Sequence, residues 1–236
     1  MNPQTATIRV TFFTNKPIEV DYEKSMKIVA NLSAYQLFPF PVNGFSFQIG
    51  PAGMTPITMT GYEFRNSDNS LNISIGPDRV DINQCKNYSN IEMAFNSMLE
   101  IYKSVSQAFH GCLEFKETRL AIASTWIIPS VDMRAVTSSF IGDNNVNLIE
   151  WENRRVERKT LESIGVPVNY GSKIARGFLK LPIEPLPMDR IFVETDVNTV
   201  PLLQDYFDVD KSIRFFEDAL RSSVRIITAL FEKVAI

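Results

Sequence analysis

Residues 70–84 read Ser70-Leu-Asn-Ile-Ser-Ile-Gly-Pro-Asp-Arg-Val-Asp-Ile-Asn-Gln84, and this stretch decides the fold class. Two short extended segments, at about 70–76 and 79–84, flank the run Gly76-Pro-Asp78. Glycine and proline supply the backbone angles of a tight turn, and aspartate caps such a turn locally. A connection this short joins antiparallel strands, because a parallel pair needs a long crossover. The stretch therefore predicts an antiparallel β-hairpin.

The rest of the chain also divides into segments with clear strand or helix patterns. Alternating or extended apolar segments predict further strands over 6–13, 45–49, 57–66, 118–128, 173–181 and 190–197. Apolar residues at three- and four-residue steps predict two long amphipathic helices, over about 90–110 and 210–235. Shorter helices are predicted over 22–35, with Asp21 as N-cap, and over 131–140. The predicted fold class is α+β, with mainly antiparallel sheet.

The order of these elements occurs twice along the chain. Each half has a strand, a helix, several strands and a closing long helix, which predicts a topological repeat. The predicted boundary divides the chain into an N-terminal α+β half, 1–112, and a C-terminal α+β half, 113–236. We expect the two halves to pack as one compact unit, with both long helices on one face.

Composition excludes several classes of protein. The chain has 236 residues, of which 44% are apolar and 22% charged, and this is the composition of a folded domain and not of a disordered chain. Its net charge of −3 shows no basic excess, so nucleic acid is not expected as a partner. No apolar run approaches the roughly 20 residues of a membrane span. No signal sequence is visible at the N-terminus, and Cys85 and Cys112 stand apart as reduced thiols, so we expect a cytoplasmic protein.

Catalytic and metal-binding patterns are scarce. His110 is the single histidine, and its place at a helix end favours a structural interaction with the helix dipole. Glu194 and Asp196 alternate on one strand face and are the acids best placed to hold a metal, although exposed carboxylates at a sheet rim are commoner. Basic residues at 154–159 are interleaved with acids and lack the aromatic residues expected of an RNA-binding strand. We therefore expect no catalytic residues, no bound metal and no cofactor.

The segment 37–42, Leu37-Phe-Pro-Phe-Pro-Val42, is predicted as a loop with unusually many apolar side chains. Such a loop is either a lid over the core or an exposed patch that docks a partner. The second interpretation makes Leu37, Phe38, Phe40 and Val42 partner-binding residues.

The segment Tyr62-Glu-Phe-Arg-Asn-Ser-Asp68, followed by Arg79-Val-Asp-Ile82 and then by Tyr88 before a helix, carries a resemblance. The chain resembles a sporadically distributed family of uncharacterised bacterial proteins of similar length. This resemblance implies a patchy distribution among bacteria, which is typical of genes for phage defence or for toxin–antitoxin systems.

These observations lead to three functional hypotheses. The first is a non-enzymatic protein-binding component of a bacterial cytosolic system, such as toxin–antitoxin or antiviral defence, whose partner is an operon neighbour or a second copy. The second is a small-molecule or nucleotide sensor with a pocket between sheet and helix, in which Trp126 and Arg119 bind the ligand. The third is a metal-dependent enzyme that uses the strand carboxylates Glu194 and Asp196.

Overall fold

The computed structural model describes residues 4–50, 53–88, 90–129, 131–142, 148–181, 184–201 and 206–234, and within 43–50 and 53–60 it describes the backbone alone. The strands in this part of the chain are β1 Gln4–Thr14, β2 Phe38–Gly50, β3 Gly53–Arg65, β4 Leu71–Ile75, β5 Arg79–Gln84, β6 Glu117–Ile128, β7 Trp151–Leu161, β8 Val166–Leu179 and β9 Met188–Thr199. The α-helices are α1 Tyr22–Asn31, α2 Ile91–His110, α3 Met133–Ile141 and α4 Val209–Val234, and a 3-10 helix covers Ser33–Tyr35.

All nine strands form one antiparallel sheet in the order β2-β3-β4-β5-β1-β6-β9-β8-β7. The prediction of an α+β fold with mainly antiparallel sheet is confirmed. The predicted hairpin is formed by β4 and β5, in which Ile73 lies opposite Ile82. Gly76 N–H donates to the carbonyl of Arg79 across the turn, at 2.8 Å. The division into halves at residue 112 stays a prediction.

One face of the sheet carries the hydrophobic core. Ile8, Val10 and Phe12 alternate along β1 and are fully buried, and α2 and α4 pack over the same face against β1, β6 and β9. Tyr102 of α2 and Phe216 of α4 touch with ring centroids 4.2 Å apart. Each fully buried side chain of this size stabilises the fold by about 1.5–3 kcal/mol relative to an exposed one. The helices therefore cover one face of the sheet, and none of those formed by the described residues lies on the other face.

Residues 37–42 are not a loop, and this prediction was wrong. Leu37 is buried in the core, and the residues after it form the start of β2 along the edge of the sheet. Proline is tolerated in an edge strand, because its missing N–H is not needed by a second neighbour. Pro39 and Pro41 thereby remove two donors that an added strand would use, which protects this edge from pairing with other chains.

The other edge strand is protected by charge. β7 forms this edge and is joined to β8 by a turn at 162–165. Gly165 has a φ of 70°, a left-handed conformation that glycine adopts without strain. β7 is mostly exposed and carries charged residues on both faces, which discourages edge-to-edge association.

None of the helices that the described residues form is both long and apolar enough to cross a membrane.

A buried carboxylate connects β6 with both long helices. Glu117 is fully buried, and its Oε2 accepts hydrogen bonds from Tyr102 Oη of α2 and from Ser212 Oγ in the first turn of α4. His110 Nε2, at the end of α2, lies 3.5 Å from Glu117 Oε1, and its ring stacks on Phe115. His110 therefore lies at a helix end, as predicted, and contacts an acidic residue there.

We expect Glu117→Ala to lower the free energy of unfolding by about 3 kcal/mol, because it leaves the buried hydroxyls of Tyr102 and Ser212 without their acceptor. Urea unfolding followed by circular dichroism measures the change. Glu114→Ala is the matched control, because that side chain is 97% exposed, and we expect it to leave the unfolding midpoint unchanged. Equal midpoints for the two variants would contradict the structural role of Glu117.

The stability of the fold should also fall in alkaline solution. Burial and the nearby Glu117 carboxylate hold the pKa of Tyr102 well above its usual value of about 10. Below pH 10 the phenol is neutral in both states. As the pH rises through 10 the unfolded chain releases this proton and the folded chain does not, so the free energy of unfolding decreases. Tyr102→Phe should flatten that decrease in urea titrations between pH 9 and 11, whereas Tyr22→Phe, at an exposed tyrosine, should not.

Candidate functional site: the open face of the sheet

The face of the sheet opposite the helices is here called the open face. Strand alternation places the odd-numbered residues of β1 from Arg9 to Phe13 on this face, because Ile8, Val10 and Phe12 point into the core. The pairing register extends the assignment to all nine strands. One continuous row crosses the whole sheet, with Arg9 and Asp196 in its central part: Phe38, Arg65, Asn72, Asn83, Arg9, Ala123, Asp196, Gly171 and Val156.

A hollow lies over the middle of this row. Its floor is β6, where the side chain of Ala123 is short, and its walls are β1 with Arg9 and β9 with Glu194 and Asp196. The hollow has a volume of about 470 Å³ and is also lined by Thr7, Thr125 and Asn83. A cation therefore stands on one side of the hollow and two carboxylates on the other, with hydroxyl and amide groups around them.

A hydrogen-bond network holds the carboxylate wall in place. Asn198 is buried, its Nδ2 donates to Asp196 Oδ1 at 3.0 Å, and its Oδ1 accepts from Asn169 Nδ2 at 3.1 Å. Arg119 Nη2 also donates to Asn198 Oδ1, at 3.3 Å. Arg158 Nε extends the network to β7 by donating to Asn169 Oδ1 at 2.7 Å. Four neighbouring strands are thus connected through side chains on the open face.

Some charges on this face are paired with opposite charges, whereas Arg119 and Arg158 donate only to amide oxygens and two further arginines have neither kind of partner. Lys173 Nζ lies 2.6 Å from Glu194 Oε2, and Arg79 Nε lies 2.9 Å from Asp81 Oδ2. Arg9 and Arg154 form no ion pair with any residue in the described ranges of the chain. An exposed guanidinium without a partner keeps its full capacity for an anionic ligand.

Three phenylalanine rings on the open face stand beside cations. The guanidinium carbon of Arg119 lies 5.0 Å from the ring centre of Phe13, and that of Arg65 lies 4.6 Å from Phe40. The third pair is Lys173 and Phe192, at 5.5 Å. The sequence showed no aromatic residue inside the basic run 154–159. The three cations beside aromatic rings lie outside that run, and in each pair the ring comes from a neighbouring strand of the sheet.

The predicted partner-binding residues lie in two environments. Leu37 is in the core, whereas Phe38, Phe40 and Val42 alternate along β2 on the open face and are 54%, 41% and 43% exposed.

The predicted ligand-binding residues lie on opposite faces of β6: Trp126 on the core face and Arg119 on the open face. Trp126 is fully buried, and its Nε1 donates to Ser124 Oγ at 3.0 Å. The structure does not bring these two residues together.

The space between sheet and helices is filled at Trp126, because the centroid of its ring lies 5.9 Å from that of Phe95.

The predicted carboxylate pair, Glu194 and Asp196, is on one face of β9 as expected, but near the middle of the sheet and not at its rim. Within the described part of the chain, no three histidine, cysteine or acidic residues come close enough together to hold a metal ion. Sequence reasoning missed Arg9, Asn198 and Ala123, because only strand pairing shows that they adjoin Asp196.

Comparison with known proteins does not show the family of this chain. No family model matches the chain, and no curated protein resembles it. A solved structure, that of a rolling circle replication initiator protein from Geobacillus stearothermophilus, is 10% identical, with 99% of this chain and 85% of that chain covered and a TM-score of 0.33. The predicted membership of a sporadically distributed bacterial family stays a prediction.

Two predictions are corrected on this comparison: the non-enzymatic protein-binding role, and the expectation that nucleic acid is not a partner. The neighbour is a replication initiator, and nothing in the comparisons supports antiviral defence or toxin–antitoxin activity. A net charge of −3 does not by itself exclude a basic surface, because it averages over both faces of the sheet. The TM-score is too low to assign a function to this chain, so the proposal below rests on the residues of the open face.

We expect Asn198→Ala to lower the free energy of unfolding by about 1–3 kcal/mol, because it leaves partly buried groups of Asn169 and Arg119 without a partner. Urea unfolding measures this loss. Asn83→Ala is the control for removing an open-face amide, because Asn83 is a half-buried residue of β5 whose side chain makes no hydrogen bond within the described residues. A loss no larger for Asn198→Ala than for Asn83→Ala would show that the network contributes nothing to stability.

Proposed function

We propose that the open face of the sheet binds single-stranded nucleic acid. The observation that carries the proposal is the pairing of phenylalanine rings with cations on a sheet face that no helix covers. Proteins that bind single strands combine a positively charged surface, which follows the phosphates, with aromatic rings on which bases stack. The open face has both components.

The charge of this face supports the proposal. Basic residues on the strands of the open face outnumber acidic ones. The basic residues are Arg9, Arg65, Arg79, Arg119, Arg154, Arg158, Lys173 and Arg190, and the acidic ones are Glu63, Asp81, Glu152, Glu194 and Asp196. Many of the acids that make the whole chain negative are on the helices instead, such as Glu92, Glu100 and Glu217. Phosphate groups bind to Lys and Arg mainly by electrostatics, so a local excess matters more than the net charge of the chain.

The accessibility of the rings supports stacking. Phe38 and Phe40 are exposed on β2, and Phe13 and Phe192 are half-buried on β1 and β9. A base–aromatic stack contributes about 1–3 kcal/mol and does not depend on which base is present. A duplex hides the faces of its bases, so stacking of this kind favours single strands.

A direct test is fluorescence anisotropy with a labelled oligo-dT of about 12 nucleotides, within the site sizes that single-strand binding folds show. We expect binding that weakens with salt. We expect Arg9→Ala to flatten the dependence of log K on log salt by about 0.7, the contribution of one phosphate contact to a single strand.

Arg225→Ala is the matched control, because Arg225 is an exposed arginine of α4 on the covered side of the sheet. It should leave both affinity and salt slope unchanged. The proposal is wrong if the oligonucleotide does not bind at low salt, or if Arg9→Ala and Arg225→Ala weaken binding equally.

The predicted topological repeat is retained as a proposal about the architecture of this surface. In each half the first strand lies at the centre of the sheet, as β1 or β6, and the remaining strands follow outward in reverse order of sequence. This order supports a repeat that doubles the width of the open face, each half closed by a long amphipathic helix.

A further inference from the structure

We infer that the hollow over Ala123 is a binding site for guanine, which Asp196 recognises. This inference rests on the proposed binding of single-stranded nucleic acid and adds a base preference to it. The feature behind it is an exposed carboxylate in the centre of a sheet face, held in a fixed orientation and left without a cation.

Asp196 differs in this respect from the acidic residues around it. Glu194 is paired with Lys173, and Asp81 is paired with Arg79 and accepts from Thr11 Oγ1 at 2.6 Å. Asp196 forms no ion pair with the residues that the structure describes, and its one side-chain partner is Asn198. A carboxylate can accept about four hydrogen bonds, so most of its capacity is left for a ligand.

The space beside Asp196 is kept open by small residues. Its neighbours in the central row are Ala123 on one side and Gly171 on the other. A Cβ on Gly171 would lie 3.0 Å from the backbone oxygen of Asp196 and 3.5 Å from its Cβ, so glycine is required for this close approach. The hollow on the Ala123 side, at about 470 Å³, has room for a nucleobase.

The chemistry of the two walls then selects the base. Guanine has two parallel N–H donors, N1–H and N2–H, which match the two oxygens of a carboxylate as a guanidinium does. The adjacent edge of the base carries the acceptors O6 and N7, which arginine recognises with two hydrogen bonds. Arg9 lies two strands from Asp196, about 10 Å at the usual strand spacing, with Ala123 between them. A guanine over Ala123 can therefore meet the Asp196 carboxylate on its donor edge, and the long, flexible side chain of Arg9 can turn to the acceptor edge beside it.

Other bases fit these walls less well. Cytosine and adenine offer one exocyclic amino group, next to a ring nitrogen that accepts and therefore repels a carboxylate. Thymine and uracil place a carbonyl on each side of their single N–H. A wrong base shields the Asp196 carboxylate from water without giving it two donors, and this weakens binding.

The test measures the affinity of oligo-dT of about 12 nucleotides carrying one central substitution, by anisotropy at constant salt. We expect a central guanine to bind about 10-fold more tightly than thymine, adenine or cytosine, within the discrimination that one good bidentate pair provides. Hypoxanthine lacks the N2 amino group but keeps N1–H, and we expect it to lose most of the advantage.

Asp196→Asn should lose the guanine preference, because an amide offers only one acceptor. Its affinity for oligo-dT should not fall, because the substitution removes a negative charge from the face that meets the phosphates. Glu194→Gln, on the same strand face, should keep the preference. Circular dichroism melting verifies that both variants are folded. Equal affinity for all four bases, or a preference that survives Asp196→Asn, would show that the guanine site is wrong. Neither result would contradict the proposal that the open face binds single strands. Failure of every oligonucleotide to bind overturns both proposals.

Discussion

The antiparallel pairing of β1 with β6 is the constraint on which the rest of the structure depends. It joins the strands near the N-terminus to those of the second half of the chain, and it continues from Gln4 opposite Ile127 to Thr14 opposite Glu117, with shifts of register near both ends. Without this pair the sheet would be two separate pieces. With it, Arg9 lies beside Ala123, and Ala123 lies beside Asp196, so residues from three distant segments form one hollow.

The sheet then separates two kinds of chemistry by strand alternation alone. On one face Phe12, Trp126 and the rings of α2 and α4 exclude water, and the buried Glu117 and Ser124 there have side-chain partners. On the other face, amides, guanidinium groups and carboxylates form a network that water can still reach. A buried polar group without a partner is costly, whereas an exposed network can keep donors and acceptors for a ligand. The open face is therefore where binding is to be sought.

Local patterns predicted much of the fold. The hairpin at 70–84 and the alternation in 6–13 are short-range signals, and the structure has strands at both places. The segment 37–42 shows where such signals fail. Two prolines and two phenylalanines in six residues are typical of an irregular segment in isolation, but at the edge of a sheet the missing N–H groups cost no hydrogen bond. Whether a strand is at an edge is a property of the whole sheet, so sequence reasoning placed Phe38 and Phe40 in a loop.

The sequence by itself determined the class of fold, the positions of most strands, the place of His110 at a helix end and the shared strand face of Glu194 and Asp196. Only the tertiary structure decided which residues adjoin that pair, because register between strands far apart in the chain follows from the packing of the whole sheet. It also decided that Trp126 and Arg119 are on opposite faces, and that cations and aromatic rings from different strands meet. Alternation is a local property that the order of residues along the chain reveals. Which residues of different strands become neighbours is decided only when the sheet and its hydrophobic core form.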